Sequence, residues 1–441
     1  MDPREAPQPK LPDLAGLQGD RRHALRKEVS QALRQKNPGY EDYLRLLVDE
    51  DLWTLLAIPF SAELAELTRE LTQPATPAGV PRAQPRTQQM GSTPGASSDE
   101  TTIREAIARE LNKPPSEVVE SDYVRITTLN LSFSNVSDLA YIRKLTGLQS
   151  LTLNEARVSD LKPLKDIVSL QELLFNHTEV SDLKPLRGLT KLRVLSLIGT
   201  RVSDLTSLRN LVGLEVLDLD QTEVGDLTPL RGLTGLHSLY LHQTQVSDLT
   251  PLHGLTSLAE LNISGTQISD LTSLRALTRL AELNLGTTQV SDLASLQGLT
   301  SLHVLDLDQT PVRDLTPLKG LTGLQVLYLK EVPVSDLTPI QGLVNLRRLY
   351  LNQTPVSDLT ALKGLTNLQE LSLNETRISD LTALEGLTSL QTLLLERTPV
   401  SDLTALRGLT NLRLLYLNQT EVSDEQVSEL KNALPKLRIS R

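Results

Sequence analysis

Cysteine is absent from the 441 residues, which excludes disulfides, thiolate metal centres and thiol nucleophiles without identifying the compartment. Large apolar side chains are almost as scarce, with 3 Phe, 1 Trp, 8 Tyr and 2 Met. Leucine must therefore build nearly all of the core, which suits a stack of identical layers better than an irregular globule. No run approaches the roughly 18 apolar residues of a membrane span. Met1 to Lys10 is charged and Pro-rich, with no apolar stretch of the kind a secretion signal needs. A soluble, cytoplasmic protein is the expectation. G-x-S-x-G, P-loop and H-E-x-x-H motifs are missing, and His23, His177, His253 and His303 show no partner spacing. A non-enzymatic protein without a cofactor is expected.

Positive charge is the other shortage. The net charge is -10: residues 1–72 carry 10 Lys+Arg against 13 Asp+Glu, residues 73–98 carry two Arg, and residues 99–441 carry 32 against 41. No segment forms the basic stripe that nucleic acid or an anionic membrane surface would require, so neither partner is expected.

What is present is repetition. From Ile126 to Ala433 the chain runs through 14 consecutive units of 22 residues with no insertion or deletion. Leu236 to Ser257 reads LHSLYLHQTQVSDLTPLHGLTS, and Leu368 to Ser389 reads LQELSLNETRISDLTALEGLTS. Apolar residues hold unit positions 1, 4, 6, 11, 14, 17 and 20 almost everywhere, Thr holds position 9 in 11 units, and Asp holds position 13 in all 14. The L-x-x-L-x-L segment alternates with period two, so positions 3, 5 and 7 face away from the leucines, as in a short strand. Stacked strands make a parallel sheet. The return segment S-D-L-T-P-L-x-G-L-T carries Pro at position 16 in six units (Pro163, Pro185, Pro229, Pro251, Pro317, Pro339). It is too short for an α-helix and predicts extended or 3₁₀ turns on the convex side. A single unit cannot bury its own apolar face, so copies and end caps are both required. Thr102 to Asn112 reads as the N-terminal cap helix, with Thr102 and Glu105 as a capping box. Residues 423–441 read as the C-terminal cap: a helix opened by Ser423 and Gln426, then Leu437 and Ile439 as a vestigial strand.

The pattern over residues 99–441 resembles the 22-residue leucine-rich repeats of bacterial internalins and of protein-phosphatase regulators, whose units also end in D-L-x-P-L. The resemblance implies a leucine-rich-repeat solenoid with its parallel sheet on the concave face, and a binding role without naming the ligand. Two departures stand out: the usual Asn at position 9 is mostly Thr (Thr178, Thr200, Thr222 and onward), and the secretion signal and wall anchor of internalins are absent, which disfavours a surface adhesin.

The repeated residues read as structural. Asp138, Asp160, Asp182, Asp204, Asp226, Asp248, Asp270, Asp292, Asp314, Asp336, Asp358, Asp380, Asp402 and Asp424 supply one carboxylate per layer. That suits capping of the turn's N–H groups, whereas a metal needs several ligands converging on one point. The Thr hydroxyls are expected to satisfy backbone groups between layers. Function then falls where the repeat varies, and on the strand's exposed face the breaks cluster at positions 5 and 7. Asp218 and Asp220 lie beside Tyr240 and His242; Asp306 and Asp308 are followed by Tyr328 and Lys330, then Tyr350 and Asn352, with Tyr416 near the end. Half of the tyrosines thus share one column, and Tyr is a common interface anchor. Leu174, Val194, Ile198 and Val216 read as a contiguous exposed apolar set on the same face. Together these residues form the expected surface for a protein partner. Asp220 and His242, with His237 further off, are the only metal candidates, and they lack a converging ligand set, so no metal is expected.

Residues 1–72 are of another kind. Arg21–Lys36, Tyr40–Val48, Leu52–Ile58 and Ala62–Leu71 read as four short helices of a small all-α bundle. The helix spacing and the run Gly39-Tyr-Glu-Asp-Tyr-Leu-Arg-Leu-Leu resemble the death-like effector-associated domains of bacterial conflict proteins. That resemblance implies pairing with an effector protein, a caspase-like protease being one, in bacterial defence signalling; an unrelated bundle used for dimerisation is the alternative. Gln73 to Ser98, with five Pro, three Gly and no acid, reads as a disordered linker, in which Arg82 and Arg86 would be open to proteolysis. Two functions follow: an adaptor that binds a protein on the solenoid and recruits an effector through residues 1–72, or a regulated partner or proteolytic substrate of such an enzyme.

Overall fold

The computed structural model describes residues 97–441, so the bundle expected over 1–72 and all but the end of the linker over 73–98 lie outside the described residues. Each of the 14 units forms a three-residue strand at its positions 3 to 5, from β1 (Thr128–Asn130) to β14 (Leu414–Tyr416). With β15 (Arg438–Ser440) they make one parallel sheet of 15 strands in chain order. The pairing advances by one unit at each step, as in Thr128↔Ser150, Val326↔Arg348 and Leu393↔Leu415. Short 3₁₀ turns such as Thr228–Leu230 and Thr316–Gly320 return the chain on the opposite side. This is the expected leucine-rich-repeat solenoid. Among the described residues no helix is long and apolar enough to cross a membrane.

The core is the column of repeated aliphatics. In unit 9, Leu302, Leu305, Leu307, Val312, Leu315, Leu318 and Leu321 are each at most 1% exposed, and the same positions are buried in every unit as far as unit 13. Each fully buried aliphatic contributes about 2 kcal/mol from area alone. Strict register is therefore enforced, since a slip of one residue would turn every Leu to the wrong face.

The polar columns hold the bends. In 13 units the Asp at position 13 accepts the N–H two residues on, at 2.8–2.9 Å, as Asp226 does from Thr228 and Asp314 from Thr316. This is an Asx turn that donates an acceptor to the first residue of each 3₁₀ turn. The fourteenth, Asp424, instead opens the last helix and pairs with Arg441. The position-9 hydroxyls act within their own unit and not between layers: all 11 Thr donate to the carbonyl three residues back, at 2.6–2.8 Å. A three-residue turn follows the strand and brings the hydroxyl back to the unit's own position-6 carbonyl, which in several units also accepts the position-9 N–H, as Leu307 does from Thr310. Between the two, position 8 takes a left-handed conformation in every unit, with φ from 54° at His177 to 69° at Gly265. Only Gly199 and Gly265 are glycine.

Both caps exist, with two corrections. Helix α1 spans Ser98–Glu110, four residues ahead of the expected start; Ser97 caps it by accepting from Glu100 N–H at 3.1 Å. Thr102 lies inside the helix and donates to the Ser98 carbonyl. The acidic pair Asp99 and Glu100 behind a Ser is the better N-terminus, favoured by the helix dipole. Asp99 then ties α1 to the first unit by accepting from Ser137 N–H, Ser137 Oγ and Asp138 N–H. Helix α2 spans Asp424–Ala433, and Ser423 caps it as expected. Gln426 does not complete a box; its Oε1 accepts the Leu403 N–H of the preceding layer. The final strand is no vestige, because β15 pairs fully with β14 through Leu414↔Arg438.

Candidate functional site

Positions 3, 5 and 7 stand on the sheet face opposite the leucine core, and all three vary between units. Its polar residues first have to complete the backbone. The position-7 N–H lies just past the strand, where the sheet ladder gives it no partner. In 11 of 14 units an Asp or Asn oxygen accepts it. The acceptor comes either from position 5 of the same unit, as Asp218 to Asp220 at 3.1 Å and Asp306 to Asp308 at 2.9 Å, or from position 7 of the unit before, as Asp220 to His242 at 2.7 Å and Asp308 to Lys330 at 2.6 Å. Asn352 serves Asn374 in the same way at 3.2 Å. The four aspartates and Asn352 of the expected contact surface thus each hold a backbone N–H. Asp218 is buried, and Asp220, Asp306, Asp308 and Asn352 are half-buried.

The tyrosines lie outside the leucine core but are less open than expected. Tyr328 and Tyr350 stack in parallel, with ring centroids 4.7 Å apart and planes 5° from each other, and their exposures are only 8% and 6%. Adjacent strands lie about 5 Å apart, so flat rings in register must cover each other. Tyr240 is half-buried and donates to Glu260 in the next unit. Burial pushes the Tyr240 phenol well above its ordinary range, and the Glu260 carboxylate adds to the effect. Burial does the same to Tyr350, with Glu370 and the Tyr328 ring beside it. Tyr416 and Lys330 are half-buried, and Lys330 pairs with Glu331 at 3.2 Å.

The aliphatic set requires correction. Leu174 is 3% and Ile198 8% exposed, so they are covered, while Val194 and Val216 are half-buried. In-register neighbours at one-strand spacing shield one another, and the four do not form an exposed patch. The metal reading fares no better on geometry. His242 Nδ1 meets Ser264 Oγ at 2.7 Å and the Ser264 carbonyl at 3.2 Å, while Asp220 turns to the His242 N–H. Among the described residues no group of three His, Asp or Glu converges.

Sequence reasoning missed the carboxylates at position 3. Glu260 takes the Tyr240 hydroxyl, and Glu172 takes the Ser150 hydroxyl at 3.0 Å. The signal available was the spacing to position 3 of the next unit: 20 residues from position 5 for Tyr240 and Glu260, and 22 from position 3 for Ser150 and Glu172. A second cluster, at the N-terminal cap, was also unforeseen. There the Tyr123 and Tyr141 hydroxyls bond each other, and Lys144 Nζ lies 4.5 Å from the Tyr141 ring centroid. Buried Asp122 takes Lys113 at 2.7 Å and the Val119 N–H, contacts that hold its carboxyl below the ordinary range.

With the site in view, comparison with known proteins gives a consistent class. The family model described as Leucine Rich repeats (2 copies) matches residues 168–210, 234–276, 256–298, 344–386 and 366–408. An internalin (InlF) of Listeria monocytogenes is similar at 29% identity and a TM-score of 0.62, covering 77% of this chain and 94% of its own. A leucine-rich-repeat protein of Leptospira interrogans is similar at 22% identity and a TM-score of 0.63, covering 73% and 97%. The ectodomain of the Arabidopsis thaliana receptor kinase GASSHO1/SCHENGEN3, solved in complex with Casparian strip integrity factor 2, shares the fold at 20% identity and a TM-score of 0.54, covering 73% and 44%. No curated protein matches the sequence. The protein is a leucine-rich-repeat solenoid of internalin-like architecture, and proteins of this build are in general protein-interaction modules.

Proposed function

We propose that the chain is a cytoplasmic, non-enzymatic adaptor whose solenoid captures a partner protein on the open sheet face. One observation carries the reading: units 1 to 13 keep apolar residues at the seven core positions and Asp at the turn, while positions 3, 5 and 7 on the open face of the same units change. A rigid scaffold with one variable face is the arrangement expected of a recognition surface. The stacked Tyr328 and Tyr350 rings, with Tyr240, Lys330 and Asn352 nearby, form its most distinctive part. Residues 1–72 recruit an effector in this scheme, a caspase-like protease in bacterial defence being the class that the death-like resemblance favours.

The test is partner capture by the full chain against its Tyr328→Ala/Tyr350→Ala variant. Neither ring belongs to the leucine core, so the variant keeps the wild-type circular dichroism spectrum. Capture should fall by tenfold or more, the usual scale for an aromatic anchor worth about 2 kcal/mol. Undiminished capture by a folded variant would remove the open face from the contact.

A further inference from the structure

Nucleic acid is not expected from any one stretch of the chain, but the 22-residue period gathers bases that are scattered in sequence onto one flank of the solenoid. Positions 18, 19, 21 and 22 of each unit, with position 2, lie on the run of chain between a 3₁₀ turn and the next strand. That run stacks in register. The position-2 N–H reaches the position-2 carbonyl of the layer before, as Ala281 does to Ala259 at 2.8 Å, and Asn345 Nδ2 donates to the Thr322 carbonyl of the layer before at 2.9 Å. Over units 1 to 13 these five columns hold 14 Lys or Arg against three acids, Asp166, Glu215 and Glu385, a net charge of +11. The rest of residues 99–441 then carries -20, since the total is -9.

All 14 bases are exposed. Four make ion pairs: Lys144, Lys165, Arg193 and Arg407. The other ten, with Arg187, Lys191, Arg209 and Arg231 among them, have neither an ion pair nor a side-chain hydrogen bond among the described residues. Arg187, Arg209 and Arg231 hold position 18 of consecutive layers, about 5 Å apart, where like charges repel. The turn aspartates border the flank at position 13, but each is held by the N–H of its own turn, as Asp204 and Asp226 are, and none forms an ion pair with a flank base.

We propose that this flank holds the phosphate backbone of a nucleic-acid duplex without reading its sequence. Composition selects the occupant. The five columns contain no Phe, Tyr or Trp in units 1 to 13, so a protein partner would find no aromatic anchor and a single strand no platform on which to stack its bases. Beside the bases they offer Thr at position 21 in ten of the 13 units and Ser, Asn or Gly at position 22 in eleven. Cations, hydroxyls and amides are the groups that contact phosphate and sugar and so position a duplex. Twelve layer steps extend about 60 Å, against one phosphate per ~3.4 Å of each duplex strand, so a base in most layers can reach a backbone. Salt screens charge over about 8 Å, which limits the reach of acids on the other faces. The flank is separate from the open face and its protein contact.

The experiment uses the full chain and a fluorescein-labelled DNA duplex of about 24 base pairs, longer than the flank, read by fluorescence anisotropy. The duplex should bind, with an affinity that falls by roughly 10³ between about 50 and 200 mM salt for some six neutralised phosphates. A duplex of unrelated sequence should bind equally well. The variant Arg187→Gln/Lys191→Gln/Arg209→Gln/Arg231→Gln should weaken binding by roughly tenfold or more and flatten the slope of log affinity against log salt by about 3 to 4. The control Arg157→Gln/Lys162→Gln/Lys184→Gln/Arg201→Gln removes the same charge from exposed residues off the flank and should leave the slope nearly unchanged. No duplex binding at the lowest salt, or equal flattening by the two variants, would overturn the proposal. So would tighter binding of an alternating Glu–Gly peptide, or of vesicles containing phosphatidylserine, than of the duplex.

Discussion

The position-9 threonines allow a stability prediction whose size comes from the hydrogen-bond geometry. Thr310 is 2% exposed, and its Oγ1 donates to the Leu307 carbonyl at 2.6 Å; the same carbonyl also accepts the Thr310 N–H at 3.1 Å. Replacing Thr by the isosteric Val removes the first bond and leaves the second. The carbonyl keeps a partner, so the loss sits near the ordinary net value of about 1 kcal/mol and not at the cost of an orphaned group. The molecule contains its own control. Val332 occupies position 9 of unit 10, and its N–H still reaches the Leu329 carbonyl at 3.2 Å. The triple variant Thr222→Val/Thr310→Val/Thr398→Val touches units four strands apart, roughly 20 Å, where effects add. Its expected loss is therefore about 3 kcal/mol. Urea unfolding followed by circular dichroism should show the midpoint falling by roughly 1 M for an m-value near 3 kcal/mol/M, with the slope unchanged. A midpoint equal to or above that of the native chain would refute the view that these hydroxyls stabilise the bend.

Three further outcomes follow from the columns and caps. Thr287 is β-branched in the left-handed region at φ 56°; Thr287→Asn should raise the unfolding free energy by about 1 kcal/mol, since Asn tolerates that conformation, and a loss in the urea midpoint would contradict the assignment. The aspartates at 204, 226, 248, 270, 314, 336, 358 and 402 are held below the ordinary carboxylate pKa by the hydroxyl and N–H of the following Thr, and Asp380 by the same pair with the N–H first. A depressed folded pKa gives stability that is complete above the unfolded value near 3.8 and lost as pH falls through the folded value. The urea midpoint should therefore hold from pH 7 to 5 as far as this column is concerned and drop below about pH 4, and a column-dependent drop centred above pH 5 would sink the idea. Asp99→Ala removes three contacts between α1 and the first unit; amide exchange in α1 should accelerate, by an opening energy lower by about 2 kcal/mol, while exchange at β8 (Glu282–Asn284) stays unchanged.

The parts of the fold that were legible in sequence are those in which one chemistry recurs. Apolar residues, mostly Leu, at seven positions per unit set the period, the strand and the buried face; Asp at position 13 announced the turn it caps; Ser423 announced α2. Each signal was read 14 times or stood beside a known cap pattern. The misses are positions where different residues do one job. Position 8 is left-handed throughout, yet Gln, Glu, Thr, Arg, His and Phe occupy it, so no Gly or Asn column betrayed it. The position-7 N–H is served from two places in two units, which hid the structural work of Asp220 and Asp308 behind their charge. Leu174 and Ile198 alternate correctly to the open face, but alternation gives the face and not the shielding by in-register neighbours. Thr102 was a plausible cap that lost to Ser97, which carries two acids immediately behind it.

The central claim is that the sheet face opposite the core is where the partner sits. A photo-crosslinking amino acid placed at Asn262 on that face, and in a second protein at Gln297 on the turn side, tests it most directly when both are irradiated with the partner and mapped by mass spectrometry. The account predicts crosslinks to the partner from position 262 and none from 297. Crosslinks from 297 with none from 262 would contradict it.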